Sequence, residues 1–141
     1  MNYEAFQEKV LVPWQNACPP PDGTTFNQGA MLPMAVVTTW AGLYYTVGLP
    51  ADAKFSAADE KGFLIWGGVS SVGSAVIQIV KIIGFRVHAT AGSKHYEYLN
   101  ALGASEVFDY KDKDVVEKIA RAVKKDSVSL DRGYDAVGSM K

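Results

Sequence analysis

The segment Gly62–Gly84, GFLIWGGVSSVGSAVIQIVKIIG, most constrains what this chain can fold into. It opens on an apolar run, Phe63-Leu64-Ile65-Trp66, of the length of a buried strand. A turn rich in glycine and serine follows, Gly67-Gly68-Val69-Ser70-Ser71-Val72-Gly73. Beyond it, Ser74, Gln78 and Lys81 recur at helical spacing on one narrow stripe, and every other side is apolar. Such a helix is nearly enclosed, as a helix lying on a parallel sheet would be. Strand, glycine turn and helix in that order open a dinucleotide-binding unit.

The turn reads as G-x-G-x-x-G from Gly68 to Gly73, with Ser70 in the middle glycine position. A diphosphate needs backbone N–H groups at a helix N-terminus and room to approach them. Serine is small, and its hydroxyl is a further donor toward a phosphate oxygen. A strand-to-helix turn without a ligand has the same pattern. The strand that follows in order favours the nucleotide.

The remaining elements repeat the theme. Residues 5–12 read as a strand ended by Pro13, and Cys18-Pro19-Pro20-Pro21-Asp22-Gly23 as a stiff loop. Thr25 and Gln28 have capping-box spacing, so a short helix is predicted from there to Pro33. A second, buried helix would start at Pro33 and stop near Val47. Its Thr38 and Thr39 then need partners, and back-bonding to the preceding turn is the simplest. Arg86–Thr90 reads as a strand, and Ser93 as the cap of a helix over 94–102 closed by Gly103. Glu106–Asp109 is a third strand. A helix from Asp112 or Asp114 has Val115, Val116, Ile119, Ala120 and Val123 facing inward, and a last strand runs through Tyr134–Val137. This β-α-β-α-β-α-β order predicts an α/β, Rossmann-type parallel sheet with flanking helices, represented by its first four strands.

Composition narrows the function. The formal net charge of −1 gives no general attraction to nucleic acid or an anionic membrane. One cysteine, Cys18, excludes an internal disulfide and a cysteine-rich zinc site. No apolar run is long enough to cross a bilayer, and the first ten residues lack a signal-peptide pattern, so a cytoplasmic setting is expected. His88 and His95 stand alone at spacings that suit packing better than a metal. Tyr44 and Tyr45 suit aromatic packing better than acid–base work, and no catalytic residue is assigned. An NAD site carries an acidic residue about 20 residues after the turn. No Asp or Glu occurs between Lys61 and Glu97, and the second strand instead runs into Ser93 and Lys94. A cation and a hydroxyl suit a 2′-phosphate, which favours NADP(H) over NAD(H).

As a set, several motifs resemble the medium-chain dehydrogenase/reductases, in particular zinc-free quinone-reductase-like and fungal trans-acting enoyl-reductase-like members. They are Leu32-Pro33, Thr38–Leu43, Trp66–Gly73, Gln78, Ala89-Thr90-Ala91, Ser93–Leu99, Leu102-Gly103-Ala104, Asp109-Tyr110 and Tyr134–Gly138. The resemblance implies that Gly68, Ser70, Ser71, Val72 and Gly73 surround the diphosphate. It implies that Ser93, Lys94 and Tyr110 hold the 2′-phosphate and its ribose. Thr38 would lie beside the nicotinamide, and Val137 and Gly138 would form the turn where the cofactor crosses the sheet. It further implies a division into 1–23, the end of a GroES-like catalytic domain with its linker, and 24–141, an NADP-binding domain lacking its second half. The activity implied is NADPH-dependent hydride transfer to an enoyl or quinone-type substrate. A non-catalytic nucleotide-binding or assembly module is the alternative, with self-association through the edge of the last strand.

Overall fold

A computed structural model describes residues 7–138. The chain divides into two compact units, Met1–Pro33 and Met34–Lys141.

In the first unit, residues 7–12 form no strand, contrary to the pattern; residues 5 and 6 lie outside the described residues. Val10, Leu11 and Val12 are exposed and have no neighbouring strand, and a lone strand has nothing to hold its backbone groups. A single 3₁₀ turn, Trp14–Asn16, follows. The capping box forms as expected: Thr25 N–H donates to Gln28 Oε1 (3.0 Å) and Gln28 N–H to Thr25 Oγ1 (3.3 Å).

Helix α1, Phe26–Ala41, runs through Pro33 instead of breaking there. Proline removes one N–H from the ladder, and the bonds on either side carry the helix past it. The helix widens into a π-helical turn, Gly42–Thr46, in which Val47 N–H donates to Gly42 O (2.9 Å). Nor is α1 enclosed: only Ala35 and Thr39 are buried, while Met34, Val37 and Trp40 are exposed.

The second unit is built on four parallel strands in the order β3-β2-β1-β4. They are β1, Lys61–Trp66, β2, Arg86–Thr90, β3, Glu106–Phe108, and β4, Ser129–Asp135. Strand β1 is central, pairing Phe63 with Val87 of β2 and Ile65 with Tyr134 of β4. Alternation sends Phe63 and Ile65 to one face, under α2 (Ser71–Ile83) and α3 (Tyr96–Leu102), with Val76, Ile77, Val80, Val87 and Leu99. Leu64 and Trp66 pack on the other face with Phe108, Val115, Ile119 and Ala122, beneath α4 (Val115–Lys125). Helices on both faces explain why the central strand is apolar at every position from Phe63 to Trp66.

Three helical expectations need correction. On α2, Ile82 is 83% exposed, so that helix is open at its last turn. On α4, Val116 and Ala120 face outward and Ala122 inward, because the buried stripe runs 115, 119, 122. Ser93 caps nothing: Ser93–His95 is a 3₁₀ turn with Gly92 at its cap, and α3 starts at Tyr96.

Candidate functional site

The chain runs from β1 outward through β2 to β3, then crosses back to put β4 on the far side of β1. Ligands of open α/β sheets bind where strand order reverses in this way, outside the carboxyl ends of the strands. There the second unit has a cleft of about 700 Å³, walled by residues at or just past the ends of all four strands: Trp66 and Ser70, Thr90 and Ser93, Asp109 and Tyr110, and Val137.

The turn after β1 forms the base. Ser70 is the N-cap of α2, and its Oγ accepts from Gly73 N–H (3.0 Å) and donates to Gly67 O (3.0 Å). Its only proton is therefore used within the turn, and the expected donation from Ser70 to a phosphate is not available in this arrangement. Among the described residues, the N–H groups of Val69, Ser71 and Val72 have no backbone or side-chain acceptor, and the Ser71 hydroxyl makes no hydrogen bond. These are the orphan donors of a helix start, held where the macrodipole favours an anion. Gly73 lets the turn close, since a Cβ there would overlap the Gly67 carbonyl oxygen. Gly67 has φ +81°, the left-handed region.

Strand β2 anchors this turn through a residue not assigned a role from the sequence. Thr90 is fully buried; its Oγ1 accepts from Gly67 N–H (3.0 Å) and its carbonyl from Gly68 N–H (2.9 Å). From behind, the buried Ser74 hydroxyl donates to Gly68 O (3.1 Å). The turn is thus fixed from both sides before any ligand arrives.

The far wall is basic. Lys94 and His95 follow β2, and Lys111 follows β3. Lys94 and Lys111 make no ion pair among the described residues, in contrast to Lys118, which holds Asp112 (2.7 Å) and Asp114 (3.3 Å). The Ser93 hydroxyl, spared from capping, is free as well. Asp109 brings one carboxylate into the same wall, and its Oδ1 accepts from Lys111 N–H (3.0 Å). Nearby, burial pushes the Tyr96 hydroxyl up, reinforced by the charges of Asp109 and Asp112. His95, Asp109 and Lys111 are titratable cleft residues that the sequence reading assigned no site role. The signal that finds them is a polar residue just past the end of each strand of a parallel sheet.

Of the residues singled out in the sequence, Ser70, Ser93, Lys94, Tyr110 and Val137 meet in this one cleft. Gly68, Ser71, Val72 and Gly73 stand beside Ser70 in the turn and first turn of α2, not in the cleft wall. Gly138 closes the turn after β4, where Asp135 Oδ1 accepts from both Val137 N–H (3.0 Å) and Gly138 N–H (3.1 Å). Thr38 is not in the wall. Its carbonyl accepts from Tyr134 OH (3.3 Å), while Thr39 donates to Val72 O (3.3 Å) instead of back-bonding. These two bonds tie the end of α1 to β4 and to the start of α2.

His88 lies elsewhere, fully buried on β2 and stacked on Phe108. Its Nε2 is 3.2 Å from Asp126 Oδ2, and Arg86 grips the same carboxylate with two hydrogen bonds. With Glu106, these form the one group of metal-ligating side chains among the described residues.

The geometry is that of a Rossmann-type α/β unit whose strand ends carry unpaired N–H groups and a basic wall. The sequence model of the family described as "Zinc-binding dehydrogenase" matches residues 71–141. The chain belongs to that family. It is 46% identical over 136 residues to the trans-enoyl reductase tazE of Aspergillus terreus (strain NIH 2624 / FGSC A1156), covering 96% of this chain and 45% of that protein. The chain thus spans less than half the length of this relative. Among solved structures, the quinone oxidoreductase from Coxiella burnetii superposes with a TM-score of 0.64 at 28% identity, over 84% of this chain and 32% of that one. CurA from Vibrio vulnificus, solved in complex with NADPH, superposes with a TM-score of 0.60 at 25% identity, over 85% and 33%.

In the group of His88, Glu106 and Asp126, the Asp126 carboxylate is already engaged by Arg86. No helix of the described residues is long and apolar enough to cross a membrane.

Proposed function

We propose that the cleft binds NADP(H), and that this chain supplies the coenzyme-binding part of an oxidoreductase acting on an enoyl or quinone-type small molecule. The observation that carries the reading is the pairing of three unbonded N–H groups at the start of α2 with a basic wall across the same sheet end. The N–H groups of Val69, Ser71 and Val72 suit a diphosphate. Ser93, Lys94 and Tyr110 suit a phosphorylated ribose, and Val137 and Gly138 the passage of the coenzyme over β1. Thr38, tied through Thr39 to the start of α2, suits the nicotinamide end. When bound, the coenzyme supplies the hydride; the residues of this chain bind and orient it.

Calorimetric titration tests the reading. NADPH should bind more tightly than NADH, and Lys94→Ala should reduce that preference by weakening NADPH while leaving NADH unchanged. A wild-type protein that takes up neither nucleotide refutes it. Turnover with NADPH and a panel of quinones and enoyl thioesters then decides whether the chain alone is catalytic.

A second proposal concerns assembly. Strand β4 pairs with β1 on one side, and its other edge has no partner strand among the described residues. An exposed edge of this kind invites pairing with another chain, a second copy in the simplest case.

A further inference from the structure

We propose that Lys111 is a second cationic ligand of the coenzyme's 2′-phosphate and, jointly with Lys94, sets the preference for the phosphorylated coenzyme. The inference rests on the NADP(H) reading above and adds a residue to it. In sequence Lys111 lies 17 positions beyond Lys94, past a helix and a strand, with acidic residues on either side of it. Parallel pairing of β2 with β3, with Thr90 opposite Phe108, brings the two strand ends side by side. Both lysines then face one cleft from adjacent loops.

Two features hold Lys111 in that wall. Its backbone N–H donates to Asp109 Oδ1 (3.0 Å), which fixes the course of the loop. Its ammonium lies 5.7 Å from the centroid of the half-exposed Tyr110 ring, a cation–π distance. The charges around it are already apportioned. Asp112 and Asp114 are taken by Lys118, and Asp109 is turned onto the loop backbone. Lys111 therefore reaches the cleft without an ion-pair partner of its own.

A phosphate monoester carries about −1.5 to −2 charges at neutral pH. One ammonium leaves roughly half of that unbalanced, and the Asp109 carboxylate in the same wall adds to the deficit. Two lysines from different loops match the charge of the group and grip it from two directions. The hydroxyl of an unphosphorylated ribose offers neither lysine a charge to pair with.

The test is a set of titrations of the full chain with NADPH, NADH and 2′-AMP, comparing wild type with Lys111→Ala, Lys111→Arg and Lys113→Ala. Lys111→Ala should weaken NADPH and 2′-AMP about tenfold and leave NADH unchanged, as expected for one charged hydrogen bond. Its NADPH affinity should also depend less steeply on salt. Lys111→Arg should keep most of the affinity, and Lys113→Ala, whose exposed side chain lies outside the cleft wall, should match wild type. If wild type prefers NADPH and Lys111→Ala binds it equally well, or loses NADH in step with it, this inference falls and the coenzyme reading stands. If wild type shows no preference for NADPH, both fall.

Discussion

Replacing Gly73 by alanine should damage the turn after β1 more than any other single methyl group placed in it. Gly73 is the third residue of α2. A Cβ there would overlap the Gly67 carbonyl oxygen and stand 3.0 Å from both Gly68 Cα and Ser70 Oγ. Two of these three obstacles are backbone. The Gly67 carbonyl is itself the acceptor for Ser70 N–H (3.2 Å) and Ser70 Oγ (3.0 Å), so displacing it also disturbs the helix cap. Forcing an extra methyl into a packed site costs about 1–3 kcal/mol. Losing a serine cap costs about 1 kcal/mol. Alanine returns about 1 kcal/mol of helix propensity. The net expectation is a destabilisation of about 1–3 kcal/mol, measured by urea unfolding followed by circular dichroism. Gly68→Ala is the control: its Cβ would meet side-chain atoms only, Leu99 Cδ1 at 2.9 Å, Ile77 Cδ1 at 3.2 Å and Ala89 Cβ at 3.3 Å. It should cost less. A Gly73→Ala protein as stable as wild type, or less impaired than Gly68→Ala, would refute the claim that backbone contact dictates this glycine.

Two further expectations concern regions outside the cleft. Hydrogen bonding from Arg86 holds the Asp126 carboxyl below the usual carboxylate range, against the opposing effect of burial. A carboxyl whose pKa is lower folded than unfolded stabilises fully above its unfolded value, about 3.9, and loses that contribution as pH falls through the folded value. Asp126→Asn should therefore be less stable at neutral pH and lose less stability than wild type on acidification below about pH 4; parallel curves would count against the pair. For the β4 edge, sedimentation should show association that rises with protein concentration, and a single monomeric species at every concentration would remove the proposal.

Much of the second unit was legible because its signals are local. An apolar run, a glycine turn and a helix with one polar stripe specify β1, its following turn and α2 within Gly62–Gly84, and the alternation of such units specifies a parallel sheet. The same local reasoning failed where the partner decides. Residues 7–12 carry a strand pattern but meet no strand to pair with. Pro33 looks like a helix boundary, yet α1 continues through it. Val116 and Ala122 exchanged roles because the line of contact with the sheet, not hydrophobicity alone, selects the buried stripe.

For the site, sequence alone determined the turn that leaves N–H groups unpaired and the lack of an acidic residue between Lys61 and Glu97. Both are properties of neighbouring residues. Only the tertiary structure decided that the Ser70 proton stays inside the turn and that buried Thr90 holds Gly67 and Gly68. It alone brought Asp109 and Lys111 to the wall shared with Lys94. Those facts depend on strand register and on which hydroxyl finds an acceptor first, and both are settled by contacts between segments far apart in the chain.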